Sequence, residues 1–163
     1  MVSDLKHITL LEKAQKEIEL ADHLLYITYP MVRETKFLLA ILEHIINAAR
    51  LALSSILEFE KYWKRLEPFP DNFKYQIFLF KERIIPRYNI DLKYFRLLNK
   101  LYEIDRFNKT SIVRFKKGEK YILTNHEYNT IVIDLENVKR LNNISKKFVN
   151  EIKQVVNGPA RRS

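Results

Sequence analysis

Glu43, Asn47, Arg50 and Ser54 interrupt the most apolar stretch of the chain. Steps of four, three and four put them on one stripe of a helix, with His44 beside it. Turned inward, that stripe would bury Arg50. A buried guanidinium needs a carboxylate, and Glu43 stands two turns away. Such a network would suit a phosphate or fix the register of a dimer. Turned outward, the same residues are the solvated strip of an amphipathic helix. Glu43, His44, Asn47 and Arg50 are therefore a candidate polar site with both readings open.

Other chemistry finds little support. The histidines, His7, His23, His44 and His126, show no metal-ligand spacing, and Glu43-His44 lacks a second histidine four residues on. No Glu-x-x-His pair suits a di-metal bundle. There is no cysteine, which removes disulfides, thiolate zinc, iron–sulfur clusters and thiol catalysis. Two glycines leave no room for a phosphate-cradling loop. No G-x-S-x-G elbow is present. The expectation is no metal, no cofactor and no catalytic residue.

Charge is more informative. The chain of 163 residues carries 29 Lys+Arg against 20 Asp+Glu. Nearly all of the surplus lies after residue 105. There Arg114, Lys116, Lys117 and Lys120 interleave with Phe115 and Tyr121. Lys139, Arg140, Lys146, Lys147 and Lys153 follow nearer the C-terminus. Lysine and arginine neutralise phosphates with salt-sensitive affinity, and neighbouring aromatics stack unpaired bases. A solvated basic face is the plainer reading of the same residues.

The elements that must position these groups follow from periodicity. Leu11, Ala14, Ile18, Ala21 and Leu25 predict a first helix from Asp4 to Ile27, capped by Ser3 or Asp4. Pro30 punctuates the chain, and a second helix is expected from there to Arg65, about 50 Å long. Two apolar stripes surround that helix, so it is central to its bundle or lies in a subunit interface. Asn72 to Ile84 reads as a third helix ended by Pro86. Asp91 caps a fourth, with Phe95, Leu98, Leu101 and Tyr102 on its face. Three short strands fill roughly 110–133, with Lys116-Lys117-Gly118-Glu119 as turn chemistry. Asp134 caps a last helix reaching Val156, with Val138, Leu141, Ile144, Phe148, Ile152 and Val155 inward. The expectation is a mainly α fold, a bundle of four to five helices with a small β insertion before the last helix. One domain is expected over 1–157, with a flexible tail over 158–163.

The segment Leu11-Glu12-Lys13-Ala14-Gln15-Lys16-Glu17-Ile18-Glu19-Leu20-Ala21-Asp22-His23-Leu24-Leu25 and the helix around Ala48-Ala49-Arg50-Leu51-Ala52-Leu53 resemble the opening of a HEPN domain, across about 60 residues. The whole chain also resembles small archaeal proteins that carry a segment like Leu24 to Pro30. The HEPN resemblance implies a helical bundle that pairs as a homodimer and associates with RNA or nucleotides. Catalytic members cut RNA with an arginine followed four to six residues later by histidine. That spacing is absent here: Arg33 precedes His44 by more, as Arg114 does His126, and no histidine follows Arg106 closely. No catalytic residue carries over.

The sequence thus predicts a non-enzymatic RNA-binding or ribosome-associated protein. Its contacts would be Arg114, Lys116, Lys117, Lys120, Tyr121, Lys139, Arg140, Lys146 and Lys147. A homodimer through the second helix is expected. So is a cytoplasmic location, since no signal peptide is evident and polar residues break the apolar stretch. The alternative is a protein–protein module, such as an adaptor or the helical partner of a nucleotidyltransferase. A divergent ribonuclease is the third reading.

Overall fold

The computed structural model describes residues 5–158. The cap expected at Ser3 or Asp4 and most of the expected tail lie outside them. The described residues form five helices, with a three-stranded antiparallel sheet before the last.

Helix α1 (Lys6–His23) buries Leu11, Ala14, Ile18 and Ala21 on the expected face. It does not stop at Pro30. It runs through a π-helical segment (Leu24–Thr28) into one further turn (Tyr29–Val32). Proline has no N–H and its ring crowds the carbonyl four residues back. The helix widens to accommodate it, and the Tyr29 N–H donates to the carbonyl of Leu24. The element ends on Arg33 in the left-handed region (φ 51°).

Helix α2 (Thr35–Tyr62) therefore begins later than expected and spans about 42 Å. Both of its apolar stripes are buried. It packs against α1 on one side and the last helix on the other, with further contacts to the remaining elements. Ala14 and Ala21 of α1, and Ala48, Ala49 and Ala52 of α2, have no or almost no exposed surface. Such short side chains let helix backbones approach closely. Its length and composition would suit a membrane span, yet 56% of its most apolar window is inside the protein. The stripes that suggested a subunit interface are consumed within one chain.

Helix α3 (Phe73–Leu79) is capped by the Asn72 side chain, which accepts from the Tyr75 N–H at 2.9 Å. It repeats the device of α1. A π segment (Phe80–Ile84) precedes Pro86, a last turn follows (Ile85–Tyr88), and Asn89 closes it at φ 51°. Pro86 does not end this helix, and the consequence is structural. The extra turn carries Arg87 and Tyr88 to Glu60, whose side chain is 2% exposed. Arg65 Nη2 lies 2.7 Å from Glu60 Oε2, Arg87 Nε 3.0 Å from Oε1, and the Tyr88 hydroxyl donates to Oε2 at 2.6 Å. This buried carboxylate ties the end of α2 to the end of α3.

Helix α4 (Lys93–Thr110) starts where Asp91 Oδ1 accepts from the Lys93 N–H. Its buried face is Tyr94, Leu97, Leu98, Leu101 and Ile104, rotated slightly from the expected one. Phe95 and Tyr102 are only half-buried. Strands β1 (Val113–Lys117), β2 (Lys120–Thr124) and β3 (Thr130–Ile133) follow in sheet order. Gly118 (φ 63°) makes the first turn; a Cβ there would meet nothing, so conformation, not space, calls for glycine. Asn125 Oδ1 accepts from the Glu127 and Asn129 N–H groups in the second turn. Helix α5 (Leu135–Asn157) is capped by Asp134 as expected.

Two stability predictions follow from the Glu60 junction. Glu60→Gln leaves two guanidiniums without their carboxylate and should cost about 2–3 kcal/mol in urea unfolding. A loss below about 0.5 kcal/mol would contradict the role given to it. The second concerns alkaline pH. Burial first, then its bond to Glu60, push the Tyr88 hydroxyl up to about 12. An unfolded tyrosine titrates near about 10. The folded state holds this proton more tightly, so the contribution is intact below about pH 10 and is lost as pH rises toward about 12. Tyr88→Phe should flatten that decline; an equally steep decline in the variant would contradict it.

Candidate nucleic-acid interface

The pleat of the sheet sorts the hairpin cations. Residues paired across an antiparallel sheet share a face. Lys116 pairs with Tyr121 and Tyr121 with Ile133; Arg114 pairs with Leu123 and Leu123 with Ile131. Tyr121, Leu123 and Ile133 are buried, so this face looks toward the bundle. The opposite face carries Phe115, Ile122 and Val132 in one cross-strand row, with the Lys117–Lys120 pair beside it.

Two expected contacts change meaning. The Tyr121 ring is 8% exposed and belongs to the core, so it offers no stacking surface. Its neighbour Phe115, 44% exposed on the outer face, does. Arg114 turns back to the bundle, where its Nη2 donates to the carbonyl of Asn108 at 2.6 Å. Lys117 and Lys120 make no ion pair among the described residues. Together with Gly118, Glu119, Ile122 and Val132 they line a shallow hollow of about 600 Å³.

The cations of α5 fall on two flanks. Lys139, Lys146 and Lys153 recur every seven residues and form one stripe; Arg140 and Lys147 form another, about 100° away. The first stripe lies on the α1 side. Lys146 Nζ is 3.0 Å from Asp22 Oδ1, which also accepts from Asn142 Nδ2. Lys146 is thus neutralised by an acid of α1. Arg140 lies on the sheet side. It lines a second hollow with Lys100, Ile131 and Val132. Val132 belongs to both hollows, so Lys117, Lys120, the apolar row and Arg140 are contiguous. The surplus charge is split across the molecule, and one part borders the outward sheet face.

The polar stripe of α2 divides, with Glu43 and His44 apart from Asn47, Arg50 and Ser54. Asn108 Nδ2 donates to Glu43 Oε1 at 3.3 Å, anchoring the base of the sheet insertion. His44 Nδ1 is 2.7 Å from Glu17 Oε2 of α1. The Arg50 guanidinium lies 4.8 Å from the centre of the Phe73 ring and has no carboxylate partner among the described residues. Asn47 is exposed. Asn47, Arg50, Ser54 and Glu58 line a cleft of about 350 Å³, where Ser54 donates to Gln76 Oε1. No group of three or more potential metal ligands occurs among the described residues.

Sequence reasoning missed Ile122, Val132 and Lys100. The alternation of β2 could have found the first, since buried Tyr121 and Leu123 place Ile122 outward. Lys100 carries no sequence signal, because only the tertiary fold brings α4 beside β3. No protein-family model matches the chain, and no curated protein or solved structure does either.

The assignment of faces predicts an asymmetry. Tyr121→Ala should cost about 3 kcal/mol or more in urea unfolding, because it empties a core position. Phe115→Ala should change stability by no more than about 0.5 kcal/mol. Equal costs would mean the faces are wrongly assigned.

Proposed function

We propose that the protein is a non-enzymatic RNA-binding factor that holds single-stranded RNA on the outer face of its sheet. One observation carries this reading. Phe115, Ile122 and Val132 form an outward row, and Lys117, Lys120 and Arg140, free of ion pairs among the described residues, border it. Cations there neutralise successive phosphates, and an aromatic face beside them stacks a base whatever its identity. Lys147 extends the same flank of α5. Arg114, Lys116, Tyr121, Lys139 and Lys146 have no direct part in this version of the surface.

Binding of a fluorescently labelled oligouridine across a salt series tests it. Lys117→Glu with Lys120→Glu should weaken binding at least about tenfold. The slope of log affinity against log salt should fall by about 1.4, since each single-strand contact contributes about 0.7. Lys139→Glu with Lys153→Glu makes the same change in net charge on the other flank and should do much less. Equal effects from both pairs would reduce the interaction to net charge alone. The RNA should stay intact with and without divalent metal; fragments would contradict the non-enzymatic reading.

A further inference from the structure

The hollow between the bundle and the sheet has a chemistry of its own. It has a volume of about 330 Å³, at the small end of ligand pockets. Leu42 of α2, Ile104 of α4, Ile131 of β3 and Val138 and Leu141 of α5 wall it. Asn137 supplies a single amide. The two charged residues on its lining, Lys100 and Arg140, are both exposed and both cationic. Neither makes an ion pair among the described residues, and no acid lines the hollow.

Apolar walls favour a hydrocarbon body, since an apolar space of this kind is poorly wetted and takes up apolar groups. The ammonium and the guanidinium at the solvent side favour an anionic head; arginine binds a carboxylate through two parallel N–H bonds. We infer that this hollow is a binding site for a small amphiphilic carboxylate, of the medium-chain fatty-acid class. The volume limits the body to a short tail or a single ring. The site does not depend on RNA binding, although Arg140 borders both surfaces.

Octanoate is the probe, followed by methyl NMR of the intact chain. Saturable shifts should concentrate on the methyl groups of Ile104, Ile131 and Leu141. Octanol has a tail of the same length without the charge and should bind at least about tenfold more weakly. Lys100→Gln with Arg140→Gln, both at exposed positions, should reduce octanoate affinity by a similar factor and leave the fold intact. Leu141→Phe, which fills the hollow, should weaken both probes together. Shifts centred on other apolar groups, such as exposed Ile27 of the α1 extension, would overturn the assignment. So would octanol binding as tightly as octanoate, or no saturable shift at all. Failure of RNA binding alone would leave this result unchanged.

Discussion

The whole circumference of α2 must be covered, and the rest of the architecture answers to that demand. A helix apolar on most sides cannot be satisfied by a single neighbour. α1 and α5 take its two broad sides. Ala14 and Ala21 of α1 and Ala48, Ala49 and Ala52 of α2 are fully buried, and such short side chains let helix backbones approach closely. α3, α4 and the sheet close what remains, with Tyr121, Leu123 and Ile133 of the sheet facing in. Once those three point inward, the period of a strand sends Phe115, Ile122, Val132, Lys117 and Lys120 outward. The charge distribution of the surface is thus a consequence of how the core is closed.

The same demand explains the prolines. A chain that stopped at Pro30 or Pro86 would lose a turn from each of two helices. Widening into a π segment keeps both elements continuous. In α3 the added turn delivers Arg87 and Tyr88 to Glu60, a buried carboxylate at the end of α2 that would otherwise have Arg65 alone. Both extensions then close on a left-handed residue, Arg33 or Asn89, which redirects the chain.

Much of this was readable in the sequence. The apolar faces of α1 and α2, the caps at Asp91 and Asp134, and the sheet before α5 all follow from local rules; the face of α5 does in part, since Leu141 and Ile144 are half-buried where Asn142 and Ser145 are buried. These elements are strongly periodic, or carry a side chain that satisfies an orphan N–H. The prolines misled, because a proline's missing donor can be absorbed within a helix as well as at its end. The fate of individual polar groups was not readable. An inward-facing Arg50 would require a carboxylate; it rests instead on Phe73, a residue from another helix. Lys146 counted as surplus charge until Asp22 came beside it. Such pairings depend on which elements meet, and no spacing along the chain encodes them. Tyr121 and Phe115 show how narrow the margin is. They lie on neighbouring strands and look alike in sequence, yet the pleat buries one ring and exposes the other.

Photocrosslinking of the protein to oligouridine, with the modified residues located by mass spectrometry, tests the central claim most directly. The account predicts adducts on Phe115 and on the peptides carrying Lys117, Lys120 and Arg140. Adducts confined to the Lys139–Lys153 flank or the α2 cleft, or none at all, would contradict it.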